Sequence, residues 1–346
     1  MKHSLILIIL LMILAVPVSA MEFTAPVAPE SAQKYMPEDT ESFGEGLLYL
    51  LKTAIATIEP AISKASGICL SLIAVVILLS IADAFTERVS HVIHLTGAVL
   101  IGMILLEPVN ALVRLGTETI TQSSEYGKLL IPVMTAALAA QGAATSSAIL
   151  CSGTVFFNAL LTTAITKILV PILYVYLCLC VANHAIGQPV LKAIQQFAKW
   201  LMTWVLKCIL YVFTGYISIT GVVSGVVDAS ALKAAKLAIS GMVPVVGGIL
   251  SDASEAVLVS AGVMKSAAGV YGILAVIAIC IGPFLQIGVQ YLMLKLTSGI
   301  CGMFETKHTA GLIGDISSGM GMVLAMTGTV CLLLLISLVC FMRGIS

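Results

Sequence analysis

The sequence predicts an all-α, polytopic membrane protein. Three observations carry that prediction. Hydrophobic residues make up 60% of the 346 positions and charged residues only 10%, against about 25% charged in a soluble domain. Mean hydropathy is +1.12. Charge-free apolar runs recur along the chain at lengths near the roughly 20 residues that a spanning helix needs.

The first twenty residues, MKHSLILIILLMILAVPVSA, have a short basic start, an apolar centre and a small-residue V-S-A ending. That is the layout of a signal peptide cleaved after Ala20; the alternative is an uncleaved anchor helix. Either way the following residues start outside the cytoplasm. Residues 21–43 hold Pro26, Pro29 and Pro37 and are rich in Glu and Asp, which predicts a flexible acidic extracytoplasmic arm. An amphipathic helix follows, with Leu47, Leu51, Ala54, Ile55 and Ile58 on one face, interrupted at Pro60. Lys52 and Glu59 limit its apolar length, so it is expected to lie on the membrane or dock on the bundle. Residues 65–346 form the polytopic domain.

In that domain the charge-free runs are 65–82, 89–106, 129–166, 168–191, 208–227, 266–294 and 316–342. The run from Leu129 is too long for one span, which gives about seven or eight transmembrane helices by the length rule. Between runs, Pro189 to Lys207 reads as an amphipathic connector. Val190, Ile194, Phe197, Leu201 and Trp204 share one face; Lys192, Gln195, Gln196 and Lys199 share the other. Lys192, Lys199, Trp200 and Trp204 are the candidate interfacial anchors, on a helix lying in the headgroup layer or at the basic end of a span.

The chemistry-bearing motifs are few. Formal net charge is zero, so nothing points to a nucleic-acid partner. No GxxxxGK[ST], GxGxxG, HExxH or GxSxG occurs. No catalytic residue, metal site or cofactor is expected, and any ATPase must be another subunit. Nine cysteines lie mostly inside apolar runs without CxxC spacing and read as core residues. His91 and His94 share a helical face without a third ligand, and His184 reads as isolated at the interface. Lys167 is the best candidate for a mid-span charge, or it marks a boundary and snorkels outward. Small residues at 136–148, and the Gly221/Gly225 GxxxG pair, predict close helix packing, within one chain or between copies.

One segment breaks the pattern. SGMVPVVGGILSDASEAVLVSAG, residues 240–262, holds Pro244, Gly247 and Gly248 followed by Asp252 and Glu255. Proline and glycines disfavour continuous helix. Irregular backbone at membrane depth is tolerated only against protein or water, which makes these five residues candidates for a broken or re-entrant conduit element. The alternative is a turn between two interfacial helices, with Asp252 and Glu255 as a capping box.

The residues from Asp228-Ala-Ser-Ala-Leu-Lys-Ala-Ala-Lys236 through Val243-Pro-Val-Val-Gly-Gly-Ile-Leu-Ser-Asp-Ala-Ser-Glu255, with Gly269-Val-Tyr-Gly272, the span to Leu294 and the glycine-rich entry to the last helix, resemble the stage III sporulation protein AE family of endospore-forming bacteria. The resemblance implies a multi-pass protein of the mother-cell membrane around the forespore. It implies a place in a secretion-like channel complex needed after engulfment. The implied partners are other membrane subunits, a separate cytoplasmic ATPase subunit, the lipid bilayer and further copies of the chain. A self-contained small-solute permease and a non-conducting assembly scaffold are the alternatives.

Overall fold

The computed structural model describes residues 25–37, 43–85, 90–140, 144–219, 267–304 and 307–344. Among these the regular structure is entirely helical. The helices are α1 (Glu30–Gln33), α2 (Phe43–Ala56), α3 (Ile58–Phe85), α4 (Ser90–Ala140), α5 (Ala144–Ala164), α6 (Val170–Ile186), α7 (Pro189–Ile219), α8 (Ala267–Cys301) and α9 (Lys307–Gly344). A π-type turn, Ile165–Leu169, joins α5 to α6 without a break. A short 3-10 turn, Gly302–Phe304, lies between α8 and α9.

Among the described residues, six segments are long and apolar enough to cross a membrane: Phe43–Phe85, Val92–Ala139, Ser147–Ile186, Pro189–Ser218, Gly269–Cys301 and Thr309–Met342. Two of them differ from the other four. The best windows of α8 and α9 are 67% and 72% buried, whereas those of the other four are 22–33% buried. The two most buried helices pack against each other as a central hairpin. Around it, α4 touches both members, α1 to α3 lie on the α8 side, and α5 to α7 lie on the α9 side.

The glycines near the start of α9 make this packing close. Gly314 and Gly321 face Ser298 and Tyr291 of α8, while Gly311 and Gly319 face His184 and Tyr176 of α6. Small residues let backbones approach where lipid-like surroundings give little hydrophobic drive to association. At these positions the contacts lie within one chain.

The apolar runs map onto helices unevenly. The last two runs correspond to α8 and α9. The run 129–166 does hold parts of two helices, but each continues into a neighbouring region. The residues between 106 and 129 are not a connector: α4 is one helix of 51 residues, carrying Pro108 and Pro132 inside it. At 1.5 Å per residue it is about 75 Å long. The segment 189–207 is likewise the basic end of a 31-residue helix, with Pro189 at its first position, where a missing amide costs nothing. Before it, α6 ends at Gly187, whose φ of 73° closes the helix with a left-handed residue.

The expected flexible arm is a packed element over residues 25–37. Ala28, Ala32 and Tyr35 are buried in the common core. The Ala28 amide donates to the Tyr271 hydroxyl at 3.3 Å, and the Tyr126 hydroxyl donates to the Pro26 carbonyl at 3.2 Å. Tyr35 sits against Gly282, in a notch that any side chain there would fill. Next to it, α2 buries Phe43, Leu47, Leu50 and Ala54. It docks on the bundle with a face rotated from the expected one: Leu50 is inside and Ile55 is outside.

Candidate functional site

The broken segment with Pro244, Gly247, Gly248, Asp252 and Glu255 lies outside the described residues, as do Gly221 and Gly225 and the signal region. The structure therefore speaks to the other candidates. Lys192, Lys199, Trp200 and Trp204 stand exposed on the first half of α7. Phe197, Trp200 and Trp204 form a stacked ladder, with ring centroids 5.7 and 6.1 Å apart. Gln195, expected on the outer polar face, is buried with Ala198, Met202 and Leu206. Lys167 is exposed on the outside of the π-type turn and does not face the bundle interior.

His184 is not isolated. Its Nε2 lies 3.8 Å from Asp315 Oδ2, and its Nδ1 lies 2.9 Å from the Cys180 carbonyl oxygen. Tyr176 donates its hydroxyl to the Asp315 carbonyl at 2.9 Å. Gln195 reaches the Cys180 sulfur at 3.4 Å and accepts from Asn183 at 3.4 Å. This cluster joins α6, α7 and α9. Sequence reasoning missed its α9 side because His184 and Asp315 are 131 positions apart and meet where Gly311 and Gly319 let α9 approach α6.

A second polar seam lies between α4 and α5. Asn158 donates to the Ser124 hydroxyl and carbonyl at 3.3 and 3.4 Å. Its own Oδ1 and the hydroxyls of Thr154 and Thr162 are buried without partners. Most helical threonines here donate to the carbonyl four residues back, as Thr117, Thr135 and Thr327 do; these two do not.

A long polar face among the described residues is the outer face of α4. Glu107, Asn110, Arg114, Glu118, Thr121, Glu125 and Lys128 are all exposed, at helical spacings of three and four. Exposed large apolar side chains line this helix up to Leu106 and resume at Leu129; none lies between. The stripe is about 32 Å long at 1.5 Å per residue. Asn110 accepts from Tyr174 at 2.8 Å, and Arg114 is 3.8 Å from Glu118. The N-terminal insert extends the same surface. Its outer residues Glu30, Ser31, Gln33 and Lys34 are exposed, and Ser31 donates to Gln122 of α4 at 2.7 Å. The signal for this face was present in the sequence as a 3.6-residue period, hidden because the charges marked the region as a connector.

Comparison with known proteins gives the chain its family. It matches the family described as Stage III sporulation protein AE over residues 31–344. It is 24% identical over 226 residues to the Stage III sporulation protein AE of Bacillus subtilis (strain 168), an alignment covering 65% of this chain and 57% of that relative. No solved structure matches it. The matched region contains α2 to α9 and so nearly the whole described bundle; the chain belongs to the stage III sporulation protein AE family.

Proposed function

We propose that this chain is a membrane component of the secretion-like channel complex that connects mother cell and forespore after engulfment. The observation that carries the reading is the family match over residues 31–344, which takes in all six span-length segments of the described residues. On this reading the protein sits in the mother-cell membrane around the forespore. It works with other membrane subunits, with further copies of itself and with a separate cytoplasmic ATPase subunit. The absence of a P-loop motif from the sequence agrees with that division of labour. The aromatic ladder and lysines of α7 serve as interfacial anchors, since indoles and lysines favour the headgroup layer.

Deleting the gene in its own spore-forming host tests this. Engulfment is expected to complete, late forespore gene expression to fail and heat-resistant spores to be lost. Normal spore yield would overturn the proposal. Solute uptake by the purified chain alone would favour the permease reading in its place.

A further inference from the structure

We infer that the outer face of α4 from Glu107 to Lys128, joined to the polar back of residues 25–37, is the wetted wall of an aqueous path at bilayer depth. The purpose of that path rests on the conduit reading above. Its placement rests on the register between helices.

Contacts along α4 fix the level of the stripe. Gly97 packs by Thr309, Gly116 by Val323 and Ile287, Gly127 by Leu334, and Leu130 by Gly272. The Ser123 hydroxyl is 3.4 Å from the Cys280 sulfur. The helix α4 therefore runs parallel to α9 and antiparallel to α8. Its residues 107–128 lie alongside the stretch of α9 between Thr309 and Leu334 and the stretch of α8 between Gly272 and Ile287 and somewhat beyond. Most of each stretch lies in the hairpin's apolar runs, 267–294 and 316–342, which contain no Asp, Glu, Lys or Arg; the Glu107 end of the stripe lies level with Asp315, at the start of the second run. If the hairpin spans, the stripe shares its depth. Carrying the middle of α4 out of the bilayer would carry the two charge-free runs of the hairpin out with it.

A face with five charged side chains in about 32 Å is incompatible with lipid over a hydrocarbon core of about 30 Å. Among the described residues, Glu107, Glu125 and Lys128 make no ion pair, and the Arg114–Glu118 pair is well exposed on both sides. The insert leads to the same conclusion. Residues 25–29 are non-helical, as is the turn at 34–37, from which the Tyr35 side chain reaches Gly282 in the middle of α8. Such backbone is tolerated at that depth only against protein or water. Its inner side has the protein, with Tyr271 and Tyr126 as hydrogen-bond partners. Its outer side is polar, and the Ser31–Gln122 bond joins it to the stripe.

The test is thiol accessibility in membranes from the sporulating host, where partner subunits are present. Single substitutions Asn110→Cys, Arg114→Cys, Glu118→Cys, Thr121→Cys and Glu125→Cys probe the stripe. Val113→Cys and Ile120→Cys probe the inner face of α4. Leu292→Cys, on an exposed apolar position of α8 near the Gly116 contact level, probes the depth. A membrane-impermeant methanethiosulfonate is the reagent, with the parent chain's own labelling subtracted. The stripe positions are expected to react at least tenfold faster than Leu292→Cys, Val113→Cys and Ile120→Cys. Equal, fast reaction at Leu292→Cys would put this level outside the bilayer and overturn the inference. Stripe positions as unreactive as Leu292→Cys would mean lipid or a dry contact and would also overturn it. Sporulation efficiency of each strain reports whether the complex is assembled. A deletion strain that sporulates normally would remove the conduit reading and leave the accessibility pattern standing.

Discussion

The α8–α9 hairpin and the middle of α4 run side by side, yet their sequences look unrelated. The hairpin is apolar on all sides because protein covers most of it. The helix α4 is apolar on the side that meets the hairpin, through Val109, Val113 and Ile120, and charged on the other. The difference teaches that a helix's composition reports its two environments added together. A fully covered helix reads as a plain span. A half-covered helix with a wet side reads as a loop, although its register is that of its neighbour. Against lipid, each charge near the helix centre would cost about 2.5–3.5 kcal/mol on insertion scales, so the charged side has another environment.

The contrast between the two sides of α4 can be broken from the inside first. Leu334, buried against Gly127, is expected to lose about 2–5 kcal/mol of stability on Leu334→Ala, read as a fall in thermal midpoint of the purified protein in detergent. Next, Gly116→Leu drives a side chain into Val323, where even a Cβ would come within 2.6 Å; overpacking of this kind costs about 1–3 kcal/mol. Gly282→Val should act locally. It fills the notch under Tyr35 and is expected to release residues 25–37, seen as new tryptic cleavage after Lys34 in a protein whose bundle still melts cooperatively. The smallest effect belongs to the outer face. Arg114→Ala should change stability by no more than about 0.5 kcal/mol, the range for an exposed i,i+4 pair. If Arg114→Ala destabilised the chain as much as Leu334→Ala, the outer face would be a packed interface and the comparison would fail.

Much of the fold was legible in the sequence where a helix has one kind of neighbour. The all-helical class, the two hairpin helices and the first turn of α7 at Pro189 follow from hydropathy and local chemistry. The bounds of α4 did not follow, because splitting the chain at charges cuts that helix in the middle and joins its second half to α5. The packing of residues 25–37 was hidden for a different reason. Prolines and acids describe a loose arm, and what orders it is a gap at Gly282, nearly 250 positions away. Likewise His184 gains its acidic partner, Asp315, from α9, 131 positions away. Of the proposed site, the residue types were visible and their common face was not.

The single π-type turn at Ile165–Leu169 has a consequence for timing along the helix. Leu150, Thr154, Phe157, Leu161 and Ile165 face inward before it, and Leu169, Leu173, Tyr176 and Cys180 face inward after it. A regular helix of that length would drift out of phase with the core, since each residue turns the face by about 100°. The wide turn takes up one extra residue, next to Pro171, whose missing amide leaves the Lys167 carbonyl without its usual donor. It acts as a phase correction midway along a helix too long to stay in step by itself. Removing one residue there would leave the first half seated and rotate the second, swinging Tyr176, Cys180 and His184 away from α9.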